Sequence, residues 1–336
     1  MILTNKFNLP QPLFEKIAAD LQDKPYDTEG IEGQTFRTTE LIGTPLPRTL
    51  YNRYKNTEKL ILDASEYTAM FMGTAFHAMC EGVDSKEVRY EKKVSKRFTY
   101  NGIEVTIFGT ADEIVINDNQ EMSIIDNKTC MMSNLNYPKP EYDKQLNIYT
   151  ELALNVFGPG YHCKLLKIRY YIKDFSAISK FNAINRSATG SPASFKAASM
   201  PDCQIITKPV TIMNEEERQN MILTHIADHI ETPERPCTDD EKFNPAPKHA
   251  VMLTGNKTAK KLCDTQEEAQ QYILTSLKPK DQARANIEYR AVKPIEMDKK
   301  CRFYCKARSV CPYAISKGYN PPVSASDIAN ATIINC

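Results

Sequence analysis

Two carboxylates and a lysine are the residues of this sequence whose types and spacing first suggest chemistry. Asp112 closes Gly109-Thr110-Ala111-Asp112, and Asp126 and Lys128 stand in Ile124-Ile125-Asp126-Asn127-Lys128-Thr129. Each phrase ends or interrupts an apolar run that reads as a strand, where side chains alternate between faces. Asp126 and Lys128 then point to one side, Ile125 and Asn127 to the other. Asp112, on the neighbouring hairpin strand, can meet them. Facing carboxylates repel unless positive charge lies between them, and a divalent cation takes such hard oxygen ligands readily. A lysine beside the cation could orient or help deprotonate a water. Phosphodiester hydrolysis is the chemistry that this combination serves. A D-x-K alone would need no more than a solvated edge pair, so the surroundings decide its meaning.

The elements that must position these residues follow from local signals. Apolar spacing predicts a helix over 66–81 (Tyr67, Met70, Phe71, Ala75, Phe76, Met79) with Gly82 after it. Strands are predicted at 87–98 and 103–108 around Tyr100-Asn101-Gly102, a strong hairpin signal. Two more, 112–116 and 122–126, flank Asn117-Asp118-Asn119-Gln120. A helix follows at 142–156 and a strand at 164–171. Residues 176–205 are rich in Ser, Ala and Asn and read as a flexible loop. Helices are predicted at 215–230 and 265–277, a Pro-rich wrap at 232–247, a hairpin at 251–253 and 261–263, and a strand at 289–295. Pro10, Pro12, Pro45 and Pro47 break up the first 65 residues into loops and short helices. The reading is an α/β fold in three parts: an N-terminal extension (1–65), a core (66–175), and a C-terminal helical and hairpin region (176–336) that packs its cysteine cluster on the core.

Composition sets the outer bounds. The chain has 336 residues, 41% hydrophobic and 25% charged, with formal net charge +1. This is an ordinary globular balance, so any basic groove for nucleic acid must be local. One segment, with Lys86, Arg89, Lys92, Lys93, Lys96 and Arg97 against Glu87 and Glu91, is a solvated face or a track for a phosphate backbone. The first residues lack the apolar stretch of a signal peptide, and no run is long enough to span a membrane. Cytoplasmic location is the expectation. His225-x3-His229 lacks the Glu that a zinc protease needs after the first His, and reads as structural. Gly255-Asn256-Lys257-Thr258 is a hairpin turn rather than a phosphate loop.

The ordered set carries more than its parts. Gly73-x3-His77, Glu91, Gly109-x2-Asp112, Asp126-x-Lys128 and Gln145-x3-Tyr149 occur in this order and spacing. Together they resemble the RecB-like branch of the PD-(D/E)XK nuclease superfamily, and within it phage and prophage recombination exonucleases. Lys6-Phe7-Asn8-Leu9-Pro10-Gln11-Pro12, Tyr171-Ile172-Lys173-Asp174-Phe175-Ser176 and Cys237-Thr238-x2-Glu241 look like the same group. The resemblance implies a restriction-endonuclease-like core, a mixed central sheet flanked by helices. It implies Mg²⁺ or Mn²⁺ bound by His77, Asp112, Asp126 and the backbone carbonyl of Asn127. Glu91 would be an accessory acidic residue, Lys128 the catalytic lysine, and Gln145 and Tyr149 would position DNA or that lysine. Ala111 stands where the superfamily's name has Pro, a common departure. The implied activity is exonuclease action on duplex DNA ends. It would leave a single-stranded tail for an annealing or single-strand-binding partner in phage-type recombination or repair. The alternatives are an end-processing nuclease like the CRISPR-associated RecB-like proteins, a structure-specific endonuclease, and a nonhydrolytic DNA-binding module.

Ten cysteines without a secretory signal argue against a disulfide framework. Cys301-x3-Cys305-x5-Cys311, followed by Pro312, reads as a metal site one ligand short of four. Cys237, in the Pro-flanked wrap, is the first choice for the fourth, with Cys80 and Cys263 as alternatives. Spacing alone does not choose between zinc and an iron–sulfur cluster. The resemblance favours a [4Fe–4S] staple.

Overall fold

The computed structural model describes residues 1–22, 33–80, 87–136, 139–188, 201–320, 324, 327–328 and 331–334. In chain order its strands are β1 (Ile2–Thr4), β2 (Gln34–Arg37), β3 (Ile61–Asp63), β4 (Val88–Tyr100), β5 (Ile103–Ile116), β6 (Glu121–Cys130), β7 (His162–Ile172), β8 (Ile205–Val210), β9 (Lys248–Leu253), β10 (Lys261–Cys263), β11 (Ala285–Arg290) and β12 (Thr332–Ile333). The helices used below are α1 (Gln11–Leu21), α2 (Thr38–Leu41), α3 (Pro45–Tyr54), α4 (Thr68–Cys80), α5 (Pro140–Phe157), α6 (Ala177–Ala188), α7 (Glu215–Glu231) and α8 (Gln266–Ser276). No helix among the described residues is long and apolar enough to cross a membrane.

The chain forms two compact units, one of Met1–Thr4, Thr49–Leu62 and Arg235–Asn335, the other of Asn5–Arg48 and Asp63–Glu234. These boundaries do not coincide with the divisions at 65/66 and 175/176 expected from the sequence. The second unit is an α/β structure built on one mixed sheet, flanked by helices. Its order is β2-β5-β6-β7-β8, with β4 along the other edge of β5. β4, β5 and β6 run antiparallel in succession, β6 and β7 are parallel, and β8 returns antiparallel. The parallel step requires a crossover, and α5 supplies it. Pro140 at its first turn and Glu141 and Asp143 near its N-terminus favour initiation there. The core gathers Val105, Ile107, Ile114, Ile124, Leu146, Leu152, Leu166 and Ile222, all fully buried.

Some expectations hold and others fail, for physical reasons. The short helices expected within the first 65 residues are present, and prolines start two of them, because a first-turn Pro lacks only an N–H that would be unpaired anyway. Pro12 lies in the first turn of α1, and α3 begins at Pro45. Residues 177–188 form a helix where a loop was expected; residues 189–200 lie outside the described set, as do Glu81, Gly82 and Lys86. The strand expected at 289–295 runs instead at Ala285–Arg290, and Pro294 opens a short 3₁₀ turn.

The first unit carries two small sheets, β12-β1-β3, in which β12 and β1 are antiparallel, and the antiparallel β10-β9-β11. α8 is capped by Thr265, whose side chain accepts from the Glu268 N–H. It packs Ala269 with Val251 and Cys263.

Candidate functional site

The site in the sheet is a place where strands part. β4 lies along nearly all of β5, from Val88 opposite Val115 to Tyr100 opposite Ile103. On the other edge of β5, β2 pairs with Val105–Phe108 and β6 with Glu113–Ile116. Gly109–Asp112 fall between those two partners. Tyr149 of α5 fills the space: a Cβ on Gly109 would lie 2.7 Å from Tyr149 Cε1 and 2.8 Å from Thr38 Oγ1. Gly109 is therefore required by close approach, not by backbone conformation.

Asp112 replaces the missing rung. Its Oδ2 accepts a hydrogen bond from the backbone N–H of Asn127 at 2.6 Å. In an extended strand a residue's N–H and C=O project to the same edge. The carbonyl of Asn127 therefore faces the gap as well. Opposite Asp112, Glu91 has φ 48°, a left-handed conformation that is rare for a non-glycine residue inside a strand. Such strain persists only where surrounding structure fixes it. The buried apolar positions of β5 also change parity here, from Val105, Ile107 and Ala111 to Ile114.

Four of the predicted residues meet at this kink. His77, on the last turn of α4, places Nδ1 2.9 Å from Glu91 Oε1 and 3.7 Å from Asp112 Oδ1. One ligand atom from each of His77, Glu91 and Asp112 lies within 4.8 Å of the others. Asn127 joins through its backbone. Asp126 and Lys128 share one face, as alternation requires, and bind each other: Lys128 Nζ donates to Asp126 Oδ1 at 2.9 Å and lies 2.8 Å from Oδ2. Oδ2 itself is buried and accepts no hydrogen bond of adequate angle among the described residues. Asp126 thus gives its charge to Lys128, while Glu91 stands in the group of three. Gln145 and Tyr149 are both buried and bind each other, Nε2 donating to the phenol oxygen at 3.3 Å.

Electrostatics set these groups apart from surface carboxylates. Burial, then the negative charge of Asp126, pushes Asp112 up to about 7. Burial also raises Asp126, against the pull of Lys128. Lys128 is held above its ordinary value, because Asp126 and Asp112 outweigh the burial that opposes its charge. His77 is raised, first by its hydrogen bond to Glu91. Sequence reasoning missed Tyr142, whose ring centroid lies 5.1 Å from Lys128 Nζ. Its position three residues before Gln145 puts it on the same helix face, and that was the available signal.

The thiols form a second candidate. Cys301 lies on the short helix Lys299–Phe303, and Cys311 caps the helix Pro312–Ser316. Burial, then Glu241, Cys305 and Cys311, pushes Cys237 up to about 11. Burial, then Cys305 and Cys237, pushes Cys301 up to about 12. Cys237 is thus an electrostatic neighbour of the other three. Cys263 packs in the small core with Val251 and Ala269, and the side chains acting on it are Glu268, Lys261 and Asp264. The side chain of Cys80 lies outside the described residues. No three of the described thiols bring their sulfurs within 4.8 Å of one another. Sulfurs around one zinc, at about 2.3 Å each, would lie about 3.8 Å apart.

His225 and His229 sit on α7. His229 is buried, and its Nε2–H donates to the Leu41 carbonyl at 3.0 Å.

No family model matches the chain, and no curated protein matches it. Among solved structures, that of SSO0001 is similar, with 19% sequence identity, a TM-score of 0.45, and coverage of 68% of this chain and 88% of that one.

Proposed function

We propose that this chain is a metal-dependent deoxyribonuclease of the RecB-like PD-(D/E)XK kind, acting as an exonuclease on duplex ends. The observation that carries the reading is the parted β5–β6 ladder, where Asp112, His77, Glu91 and the Asn127 backbone converge beside the Asp126–Lys128 pair. The donor set suits Mg²⁺ or Mn²⁺: carboxylate oxygens, a carbonyl and an imidazole. The buried Asp126 Oδ2 has the Lys128 ammonium 2.8 Å away and keeps lone-pair capacity that a metal ion would use. His77, Asp112, Asp126 and the Asn127 carbonyl would hold the ion, with Glu91 steadying His77. Bound there, it would supply Lewis-acid polarisation of a phosphate oxygen and lower the pKa of a water.

The chain's own groups do the rest. Lys128 stays charged beside two carboxylates and has donors left for a phosphate oxygen after binding Asp126. Its charge opposes the negative charge that develops on the attacked phosphate. The ring of Tyr142 and the Gln145–Tyr149 pair fix the helix face behind it. Lys92 and Lys93 follow Glu91 on β4 and suit contact with a DNA backbone. By the resemblance, the four thiols would hold a [4Fe–4S] cluster, with zinc as the alternative. A single-strand annealing or binding protein, in phage-type recombination, is the partner that the resemblance implies.

The test is digestion of linear and circular duplex DNA with Mg²⁺, using anaerobically purified protein beside Asp126→Ala and Lys128→Ala. Linear DNA is expected to be lost, and each substitution to slow the loss on the order of 10³-fold. Cleavage of circles as well would make the enzyme an endonuclease. No cleavage by wild type would leave a DNA-binding module.

A further inference from the structure

Arg169 lies on β7 beside Asn127 of β6 in the parallel register. By alternation its side chain occupies the face opposite Asp126 and Lys128. There Nη1 donates to Glu113 Oε2 at 2.5 Å and to Asn127 Oδ1 at 3.4 Å, while Nη2 reaches Glu113 Oε1 at 3.5 Å. Glu113 and Asn127 are each 5% exposed. Glu113 directly follows Asp112, and its pairing with Ile125 is the last rung before β5 and β6 part. Asn127 lies between Asp126 and Lys128. One guanidinium therefore ties together the two strands whose separation opens the site.

We propose that Arg169 is a positioning residue for the metal. It holds the Asn127 side chain, and the peptide of that residue holds Asp112 Oδ2 through its N–H and turns its carbonyl into the same gap. A shift of Asn127 would move two candidate ligand atoms together. Arginine suits the role because its rigid fork meets both Glu113 oxygens and so fixes Nη1 against Asn127, an orientation that a rotatable lysine ammonium does not hold. The proposal rests on the nuclease reading.

The experiment is titration of the full chain with Mn²⁺, reading unbound Mn²⁺ by electron paramagnetic resonance. Arg169→Met leaves Glu113 charged and buried without its partner. The main variant is therefore Arg169→Met with Glu113→Gln, which removes both charges. It is expected to bind Mn²⁺ about tenfold or more weakly, with most of the hydrolysis rate recovered at saturating metal. Arg169→Lys is expected to weaken binding too. Should the double variant fail to fold, Asn127→Ala breaks the same link while keeping the Glu113–Arg169 pair, and weaker binding is again expected. A folded variant with wild-type Mn²⁺ affinity overturns the role of Arg169 alone. Wild type that binds no more Mn²⁺ than Asp112→Asn overturns the nuclease reading, and this proposal with it.

Discussion

Asp112 and Asp126 belong to strands whose ladders continue on either side of them. Cys301, Cys305 and Cys311 belong to a segment whose short helices are tied mainly by side chains. In that segment the buried carboxylate of Asp298 accepts from Tyr313 at 2.8 Å and Tyr319 at 2.6 Å. Its backbone N–H donates to Asn244 Oδ1 at 2.5 Å. The first site inherits its geometry from long-range strand pairing and would keep it without a ligand. The second has few backbone ladders near it, so a group bound by the thiols would be part of what holds it. A site assembled on a sheet can be tuned by charge; a site assembled on a loop stands or falls with its ligands.

The largest effect separates the two on this basis. Serine at Cys237, Cys301, Cys305 or Cys311 is predicted to abolish bound iron and to lower stability by several kcal/mol, since ligand binding there is folding energy. Serine at Cys263 is predicted to keep the iron. Iron and sulfide analysis of anaerobically purified protein, with thermal unfolding, checks both. Iron retained in Cys237→Ser would remove Cys237 from the ligand set.

The contrast also shows what the sequence could and could not reveal. The hairpin at Asn101-Gly102, the crossover helix and the strand carrying Asp126 and Lys128 depend on local periodicity and turn chemistry, so they were legible. Two strands were expected at 103–108 and 112–116, whereas β5 runs through both, because β4 pairs continuously past Gly109. β2 joins β5 across some seventy residues of chain, and no local signal encodes that pairing. The strain at Glu91 and the seat of Tyr149 against Gly109 likewise involve segments distant in sequence. Tertiary contacts rather than propensity decide such features. The helix at 177–188 was hidden by its Ser- and Asn-rich composition, and its apolar Ile178 and Phe181 remain exposed.

The next effect uses charge at the sheet site. The value of about 7 for Asp112 lies above the ordinary 3.8. Between those values the folded chain binds more protons than the unfolded one. This contribution is therefore complete below 3.8 and lost as pH rises through 7. Asp112→Asn keeps an acceptor for the Asn127 N–H and removes the buried charge. In EDTA at pH 8 it is predicted to be more stable than wild type, on the order of 2 kcal/mol. Mn²⁺ should stabilise wild type by mass action and leave the variant unmoved. Chemical denaturation with and without Mn²⁺ measures this; a variant less stable than wild type in EDTA would contradict it.

The smallest effect has the opposite sign and comes from α7. Burial, then the charge of Lys144, holds His225 down to about 4, below its ordinary 6.5. Between those values the unfolded chain binds more protons, so stability is lost as pH falls from 6.5 through 4. Wild type superposes this fall on the rise contributed by Asp112, and the two partly cancel. Asp112→Asn is the background in which the histidine shows. There, His225→Asn is predicted to reduce the loss of stability between pH 6.5 and 4 by about 1 kcal/mol or less, because the half-buried ring is partly screened by solvent. That corresponds to a few degrees in the thermal midpoint. A residual slope should remain, since burial also holds His229 below its ordinary value. Equal slopes with and without the substitution would place the acid sensitivity in His229 and the remaining carboxylates. A steeper slope would mean that His225 is charged in the folded chain, paired with Asp228 rather than neutralised by burial.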